Sequence, residues 1–389
     1  MRNTYFATSG RGLEDLLAKE LQEMGIADAK ALRGGVRFSG SLEDGYRATL
    51  WSRLASTVLL ALGSFKADSE DAVYKGIQRI PWDEHLAIKN TFAVSTTITR
   101  AELNTHYVSL KIKDAIVDQF RKATQDRPSI NVETPDIALQ AHIDGNEGTL
   151  YLDLGNPGLH KRGYRLLSTD APLRETVAAS ILVRAGWPKL ASEGWAFLDP
   201  MCGSGTLVLE AAMMAADMAP GLGRQDLGFD KWLQHDQSLW KGLMDEARSR
   251  RDKGLETIPP IHGSDVSGPA VAATKRNVEA AGLSHHVQID RMPLMNVQPP
   301  APKGLVATNP PYGVRFEEDA AAVHYELGEA LIERFEGWNA AIITESKELG
   351  RELGMRAVKT FNVDNGPIRC IQLNFEISPE RIYHERRLS

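Results

Sequence analysis

The sequence predicts an α/β protein in which a mostly parallel sheet, covered by helices on both faces, follows two smaller α+β units. Three observations carry that prediction. From about residue 170 the chain alternates strand-like and helix-like stretches, the rhythm of repeated βα units. It closes with "TFNVDNGPIRCIQLNFEI", a hairpin turning at Asp364-Asn365-Gly366, which puts one antiparallel strand into the sheet. Before residue 160, single helices are mixed with paired short strands, the habit of α+β units.

The first unit opens with the strand "TYFATS". In "RGLEDLLAKELQEMG" Leu13, Leu16, Leu17 and Leu21 then fall on one helical face, and Gly25 ends it. "AKALRGGVRFSG" supplies two short strands around Gly34-Gly35. "SLEDGYRATLWSRLASTVLLALGSF" runs from helix into strand and completes the unit near residue 65. The second unit, 66–160, holds "YKGIQRIPW", the strand "TFAVSTTI", the helix "HYVSLKIKDAIVDQFRKAT" and the strands "IALQAHID" and "GTLYLDLG", which turn at Asp144-Gly145-Asn146. The third, 161–389, begins with the helix "LRETVAASILVRAGW". "AFLDPMCGSGTLVLEAAMMAA" and "IHGSDVSGPAVAATKRNVEAAG" each read strand, turn, helix, and "GLVATNPPYG" and "WNAAIITES" add strands. Ligands of such sheets bind at the carboxyl ends of the strands.

A chain of 389 residues is too long for one core, in keeping with several domains. Its 42% hydrophobic and 25% charged residues are ordinary for a globular protein. No run of about 18 apolar residues appears, so neither a signal peptide nor a membrane span is assigned and a cytoplasmic protein is expected. Two cysteines, Cys202 and Cys370, and ten scattered histidines make neither a disulfide framework nor a metal-ligand pattern, so no metal site is expected. The net charge of −6 argues against a simple electrostatic nucleic-acid binder. However, residues 1–165 balance 21 Lys+Arg against 21 Asp+Glu, and the acidic excess lies beyond them. In "LHKRGYR", Lys161, Arg162 and Arg165 stand beside Tyr164, a mixture that suits phosphate and base contacts or, alternatively, a solvated linker.

"FLDPMCGSGTLVLEAA" ends a buried strand in Asp199, and Gly203-Ser204-Gly205 let the backbone turn into a helix whose first amides face the crevice. An acid at this turn would repel a dinucleotide pyrophosphate and attract the ammonium of an aminoacyl sulfonium, and the third glycine of the dinucleotide fingerprint is missing. S-adenosyl-L-methionine fits better than NAD. In "IHGSD", Asp265 can accept both hydroxyls of a ribose or cap the helix that follows, and the two roles are compatible. Cys202 has no basic sequence neighbour to activate it and reads as a small packed residue.

In "LVATNPPYGVRF" the two prolines cannot continue a strand, so "GLVAT" ends in a loop made of Asn309, Pro310, Pro311 and Tyr312. The Asn309 side-chain carbonyl and a proline-fixed backbone carbonyl offer two acceptors for a planar NH2 group, and Tyr312 offers a stacking face. Held by both hydrogens, such an amine would turn its lone pair toward a methyl donor, which is catalysis by orientation.

With these residues in view, "LDPMCGSGT" and "NPPYG" resemble the class I S-adenosylmethionine-dependent methyltransferases that act on exocyclic amines. "ATSGRGLEDLLAKEL", "GGVRFSG", "LWSRLAS", "LKIKDAIVDQFR", "HKRGYR" and "APLRET" are similar to the THUMP-domain RNA methyltransferases, in particular the bacterial enzymes that methylate guanine N2 in 23S ribosomal RNA. The resemblance spans essentially the whole chain. It implies a ferredoxin-like domain over 1–65, an RNA-binding THUMP domain over 66–160, and a Rossmann-like seven-stranded methyltransferase domain over 161–389. It places Asp199, Pro200, Cys202, Gly203, Gly205, Thr206, Asp265, Asp290 and Asn309 at the cofactor, Asn309 to Tyr312 at the target guanine, and Lys161, Arg162, Tyr164 and Arg165 at the RNA. Large bacterial members carry a second, fused methyltransferase domain, and since this sequence runs to Ser389 that second activity is expected to be absent. In the family an acid usually follows the third strand to meet the adenine amine; here Asp290 comes early in "VQIDRMPLM" and Arg291 stands near the aligned place.

The same loop chemistry also suits adenine N6 or a glutamine amide, and a non-catalytic RNA-binding assembly factor could keep the fold. The methylated product separates the first two from guanine N2. Intact glycines, Asp199 and the Asn-Pro-Pro-Tyr loop disfavour the last.

Overall fold

The computed structural model describes residues 2–168, 172–225, 227–311, 317–366 and 368–383. They divide into two compact units, residues 1–9, 13–159 and 224–244 in the first and 10–12, 160–223 and 245–389 in the second.

The first unit is built on an eight-stranded sheet. Its elements are β1 (Asn3–Ser9), α1 (Glu14–Glu23), β2 (Lys30–Leu32), β3 (Gly35–Gly40), α2 (Leu42–Trp51), β4 (Ala55–Lys66), α3 (Glu70–Ile77), β5 (Thr91–Thr99), α4 (Thr105–Thr124), β6 (Ser129–Ile130), β7 (Ile137–Asp144) and β8 (Glu147–Asp153). The strand order is β2-β3-β1-β4-β8-β7-β5-β6. Strand β4 pairs antiparallel with β1 along one edge and β8 along the other, so one sheet serves the whole unit. Parallel β5 and β7 need a crossover, which α4 provides. Local chemistry sets the helix ends: Ser41 and Asp44 form a reciprocal capping box on α2, and Asn104 caps α4 by accepting from the His106 and Tyr107 amides.

Residues Arg224–Met244, placed by the sequence in the third segment, cluster with this first unit. The anchors are aromatic. Phe229 stacks on Tyr46 at 4.6 Å, the Tyr46 hydroxyl meets His235 Nδ1 at 2.7 Å, and Trp232 Nε1 donates to His85 Nδ1 at 3.0 Å.

The second unit contains α5 (Glu175–Arg184), α6 (Trp187–Ser192), β9 (Ala196–Asp199) and α7 (Thr206–Ala215), then α8 (Gln237–Leu255), which also supplies residues to the first unit. There follow β10 (Ile261–Asp265), α9 (Gly268–Ala280), β11 (Val287–Arg291), β12 (Gly304–Thr308), α10 (Glu317–Arg334), β13 (Asn339–Thr344), α11 (Lys347–Glu352), β14 (Lys359–Asn365) and β15 (Ile368–Glu376). The seven strands run in the order β11-β10-β9-β12-β13-β15-β14. β9 to β13 pair in parallel, and β15 is antiparallel to both β13 and β14, as the terminal hairpin predicts.

Alternation along the central strands fills two cores. Phe197, Leu305 and Ala307 point into one, with Ile181, Leu207 and Val271 from α5, α7 and α9. Leu198 and Val306 point into the other, with Leu327 and Leu331 from α10 and Trp338 beyond it. Burial on both faces explains why these strands read as nearly continuous apolar runs. The strand order reverses between β9 and β12, and the crevice outside the carboxyl ends at such a reversal is where this architecture binds ligands. Among the described residues no helix is long and apolar enough to cross a membrane.

Candidate active site

A cavity of about 650 Å³ opens at that place, within the usual range for small-molecule sites. Asp199 and Asp265 are the last residues of β9 and β10, and Asn309 follows the last residue of β12; all three line it.

Asp199 is 2% exposed, and its Oδ1 accepts from the Met201 amide at 3.1 Å. Burial pushes its carboxyl up to about 7, and the charge of Asp265 acts in the same direction. Such a carboxylate is held at an energetic disadvantage until a cation or further donor joins it.

Asp265 uses both oxygens. Oδ2 accepts from the Gly203 amide and Oδ1 from the Ser267 amide, each at 2.9 Å. The cap of α9 is Ser267, whose hydroxyl accepts from Ala270, so the capping role predicted for Asp265 passes to its neighbour and Asp265 instead ties the glycine turn to β10. Each carboxylate oxygen keeps a lone pair free for a ligand hydroxyl.

The glycine turn is held on its other side by α9. Thr274 Oγ1 donates to the Gly203 carbonyl at 2.7 Å, and Asn277 Nδ2 donates to the Ser204 carbonyl at 2.9 Å. Gly205 has φ +87°, and a Cβ there would lie 2.6 Å from Thr274 Cγ2. Alanine at 205 should therefore lower unfolding free energy by roughly 1–2 kcal/mol from the left-handed backbone alone. Urea titration checks this against Gly242→Ala, which sits in α8 with open space around it and should be neutral or slightly stabilising.

Thr274 and Asn277 escaped the sequence-based selection of site residues. Their signal was available: both are fully buried polar residues, three apart, on the face that α9 otherwise packs with Ala270, Val271 and Val278.

The basic run turns inward, which corrects its assignment to RNA. Arg162 is 3% exposed and pairs with buried Glu210 of α7, and Tyr164, also buried, donates its hydroxyl to the same carboxylate at 3.1 Å. Arg165 donates to Glu175 Oε1 at 2.7 Å, Ser204 Oγ at 3.2 Å, Thr206 Oγ1 at 2.9 Å and the Leu173 carbonyl at 3.0 Å. Three of the four residues thus brace α7 and the glycine turn, held by Glu210, 46–48 residues on, and by Glu175, ten residues on. Lys161 alone is exposed.

Asp290 sits on β11. Its Oδ2 accepts from Gln288 at 2.7 Å, and Pro293, Leu294 and Met295, a few residues on, are among the described residues that line the cavity. Arg291 Nε donates to the Val266 carbonyl at 3.1 Å and steadies the turn after β10. Pro200, Cys202 and Thr206 line the cavity, and burial pushes the Cys202 thiol up, as befits a packed residue rather than a nucleophile. Gly205 shapes the turn without lining the cavity.

Pro310 and Pro311 line the cavity beside Asn309, and Tyr312 lies outside the described residues. The Asn309 Oδ1 is buried and has no hydrogen-bond partner among the described residues. A buried amide oxygen left bare is costly unless a ligand donor completes it.

Residues 162–374 match the model of the RMKL-like methyltransferase domain. The chain belongs to that methyltransferase family. Residues 67–153 match the THUMP domain and 4–59 the RlmL ferredoxin-like domain. The ribosomal RNA large subunit methyltransferase K/L of Syntrophotalea carbinolica is 45% identical over 386 residues, 97% of this chain and 54% of that protein. The chain spans about half the length of the curated relatives it matches. Among solved structures, SMU.472 complexed with SAH is 27% identical with a TM-score of 0.85, covering 98% of this chain and 99% of that one. A protein of Listeria monocytogenes named as a "predicted N6-adenine-specific DNA methylase" is also 27% identical with a TM-score of 0.85, covering 96% of each chain. Membership of the RMKL-like family accords with the Rossmann-like methyltransferase fold, with its THUMP and ferredoxin-like parts, that the sequence predicts.

Proposed function

We propose that this protein transfers a methyl group from S-adenosyl-L-methionine to the exocyclic N2 amine of a guanine in RNA, with 23S ribosomal RNA as the substrate and the cytoplasm as its place of action. The observation that carries the reading is the buried Oδ1 of Asn309, without a hydrogen-bond partner among the described residues, in a residue lining a cavity that also holds buried Asp199, which has no basic partner among them.

The residues fit the cofactor. Asp199 would take its ammonium, Asp265 its ribose hydroxyls, and Pro293 to Met295 would cover an aromatic face. When bound, S-adenosylmethionine supplies an activated methyl group on a sulfonium. Asn309 Oδ1 and the Pro310 carbonyl accept the two hydrogens of the target amine and leave its lone pair free to attack, so the chain contributes orientation. A base inside a duplex cannot reach a strand-end loop, so the guanine must be unpaired or flipped out.

The RNA assignment is supported by the THUMP match over 67–153 and by the name of the 45% identical relative. In this reading residues 1–65 and 66–160 present RNA to residues 161–389, and Lys161 is the one member of its basic run left to meet a phosphate.

Labelled cofactor and ribosomal RNA lacking its natural modifications, followed by nucleoside analysis, test the proposal. N2-methylguanosine is the expected product. N6-methyladenosine would overturn the guanine assignment, as would transfer to a glutamine of a ribosomal protein offered as a parallel substrate; the Listeria protein is named for N6-adenine of DNA. Absence of transfer to any substrate would favour a non-catalytic RNA-binding role.

A further inference from the structure

We infer that Glu326 selects guanine by accepting its N1–H, and so serves as the specificity residue of the base subsite; this rests on the guanine-N2 reading above. Val323 and Glu326, three apart and therefore on one face of α10, line the same cavity as Asn309, Pro310 and Pro311. Among the described residues, the charged ones lining that cavity are Asp199, Asp265 and Glu326, with neither lysine nor arginine beside them. Two of these acids have work already. Asp199 is buried under the glycine turn, and Asp265 accepts from the Gly203 and Ser267 amides. Glu326 is exposed and makes no hydrogen bond or ion pair that ties it to the described residues.

A carboxylate at the entrance of a site for a polyanion repels the approaching phosphates, so its presence calls for a compensating donor. Guanine carries one beside the reacting amine, the N1–H. Adenine presents a lone pair at N1, which a carboxylate repels. The Asn309 and Pro310 carbonyls would accept from any NH2 group and cannot tell the two bases apart; an acid one atom further along the base edge can. A site built to bond a particular N–H rejects an analogue without it far more strongly than a merely apolar pocket rejects a poor fit. Glu326 takes no proton from N2 in this role.

The test uses the full chain and an unpaired RNA oligonucleotide centred on the nucleotide that the labelling experiment identifies. A second oligonucleotide carries 2-aminopurine there, which keeps the N2 amine and lacks N1–H. The wild type should prefer guanine in kcat/KM. Glu326→Ala should lower kcat/KM for guanine by roughly ten- to a hundredfold and Glu326→Gln, which keeps an acceptor carbonyl, by less; both should leave 2-aminopurine unchanged or improved, since its N1 lone pair no longer meets a carboxylate, and so shrink the ratio. Differences in amine reactivity cancel because the ratio is compared between proteins. An unchanged ratio in both variants overturns the proposal, and so does a tenfold loss of S-adenosylhomocysteine affinity by calorimetry, which would assign Glu326 to the cofactor. Failure of the underlying reading is visible in the wild type alone, as methylation of an atom other than guanine N2.

Discussion

Asn309→Ala should leave S-adenosylhomocysteine affinity within about twofold while slowing single-turnover methyl transfer by roughly a hundred- to a thousandfold, the usual effect of removing one well-placed catalytic hydrogen-bond partner. The asymmetry follows from the geometry. Asn309 Oδ1 accepts nothing from the rest of the described chain, so its loss breaks no internal bond and should cost little stability. In the proposed reaction it holds the amine only while the lone pair is aimed, so its loss falls on the rate. Asn309→Asp keeps an acceptor oxygen at the same place and should retain more activity than alanine. Equal rates for wild type and Asn309→Ala at saturating cofactor would remove Asn309 from the chemistry. A parallel loss of cofactor affinity would move it to the other side of the cavity.

Glycines and prolines announced Asp199, Gly203, Gly205, Asp265 and Asn309, because a chain must leave its strand and turn sharply at those positions, and the structure gathers these turns at the ends of β9, β10 and β12. Six of the seven strands, with one antiparallel member among them, were legible because strands buried on both faces cannot hide their apolar runs, and the count of seven came with the family resemblance. What stayed illegible depends on partners that no local pattern reveals. Lys161 to Arg165 look like a surface patch until Glu210 and Glu175 are seen facing two of the arginines. Nothing local in 224–244 says that Phe229 and Trp232 pack with Tyr46 and His85 rather than with the segments flanking them. Neither α8 nor α10 was placed from the sequence; α8 mixes few apolar positions with many charges, and an 18-residue helix such as α10 packs only a stripe, here Leu327 and Leu331. The same inward turn of Arg165 bears on domain separation. A fragment beginning at Leu166 would lose the bonds from Arg165 to Ser204 and Thr206, so a cut placed before His160 is the better test of whether the methyltransferase part binds cofactor alone.

Asp199 should make cofactor binding pH-dependent in a direction its environment dictates. Burial raises its carboxyl from the ordinary 3.8 to about 7, so between those values the folded protein holds a proton that the unfolded chain has released. For this group, stability of the free protein therefore falls as pH rises through that window and levels off above about 7. Ligand binding runs the opposite way. An ammonium seeks the ionised carboxylate, of which about a tenth exists at pH 6 and about three quarters at pH 7.5 when the midpoint is near 7. S-adenosylhomocysteine affinity should rise roughly eightfold over that interval, with close to one proton released per ligand bound at pH 6, read by calorimetry in buffers of different ionisation enthalpy. Asp199→Asn should bind roughly ten- to a hundredfold more weakly at pH 7.5, in line with the loss of one charge-assisted bond of about 1.5–3 kcal/mol. It should also lose both the pH step and the proton release. A pH step that persists in Asp199→Asn would assign the titration to another group, and a wild type whose affinity is flat from pH 6 to 7.5 would mean that Asp199 does not meet the ammonium.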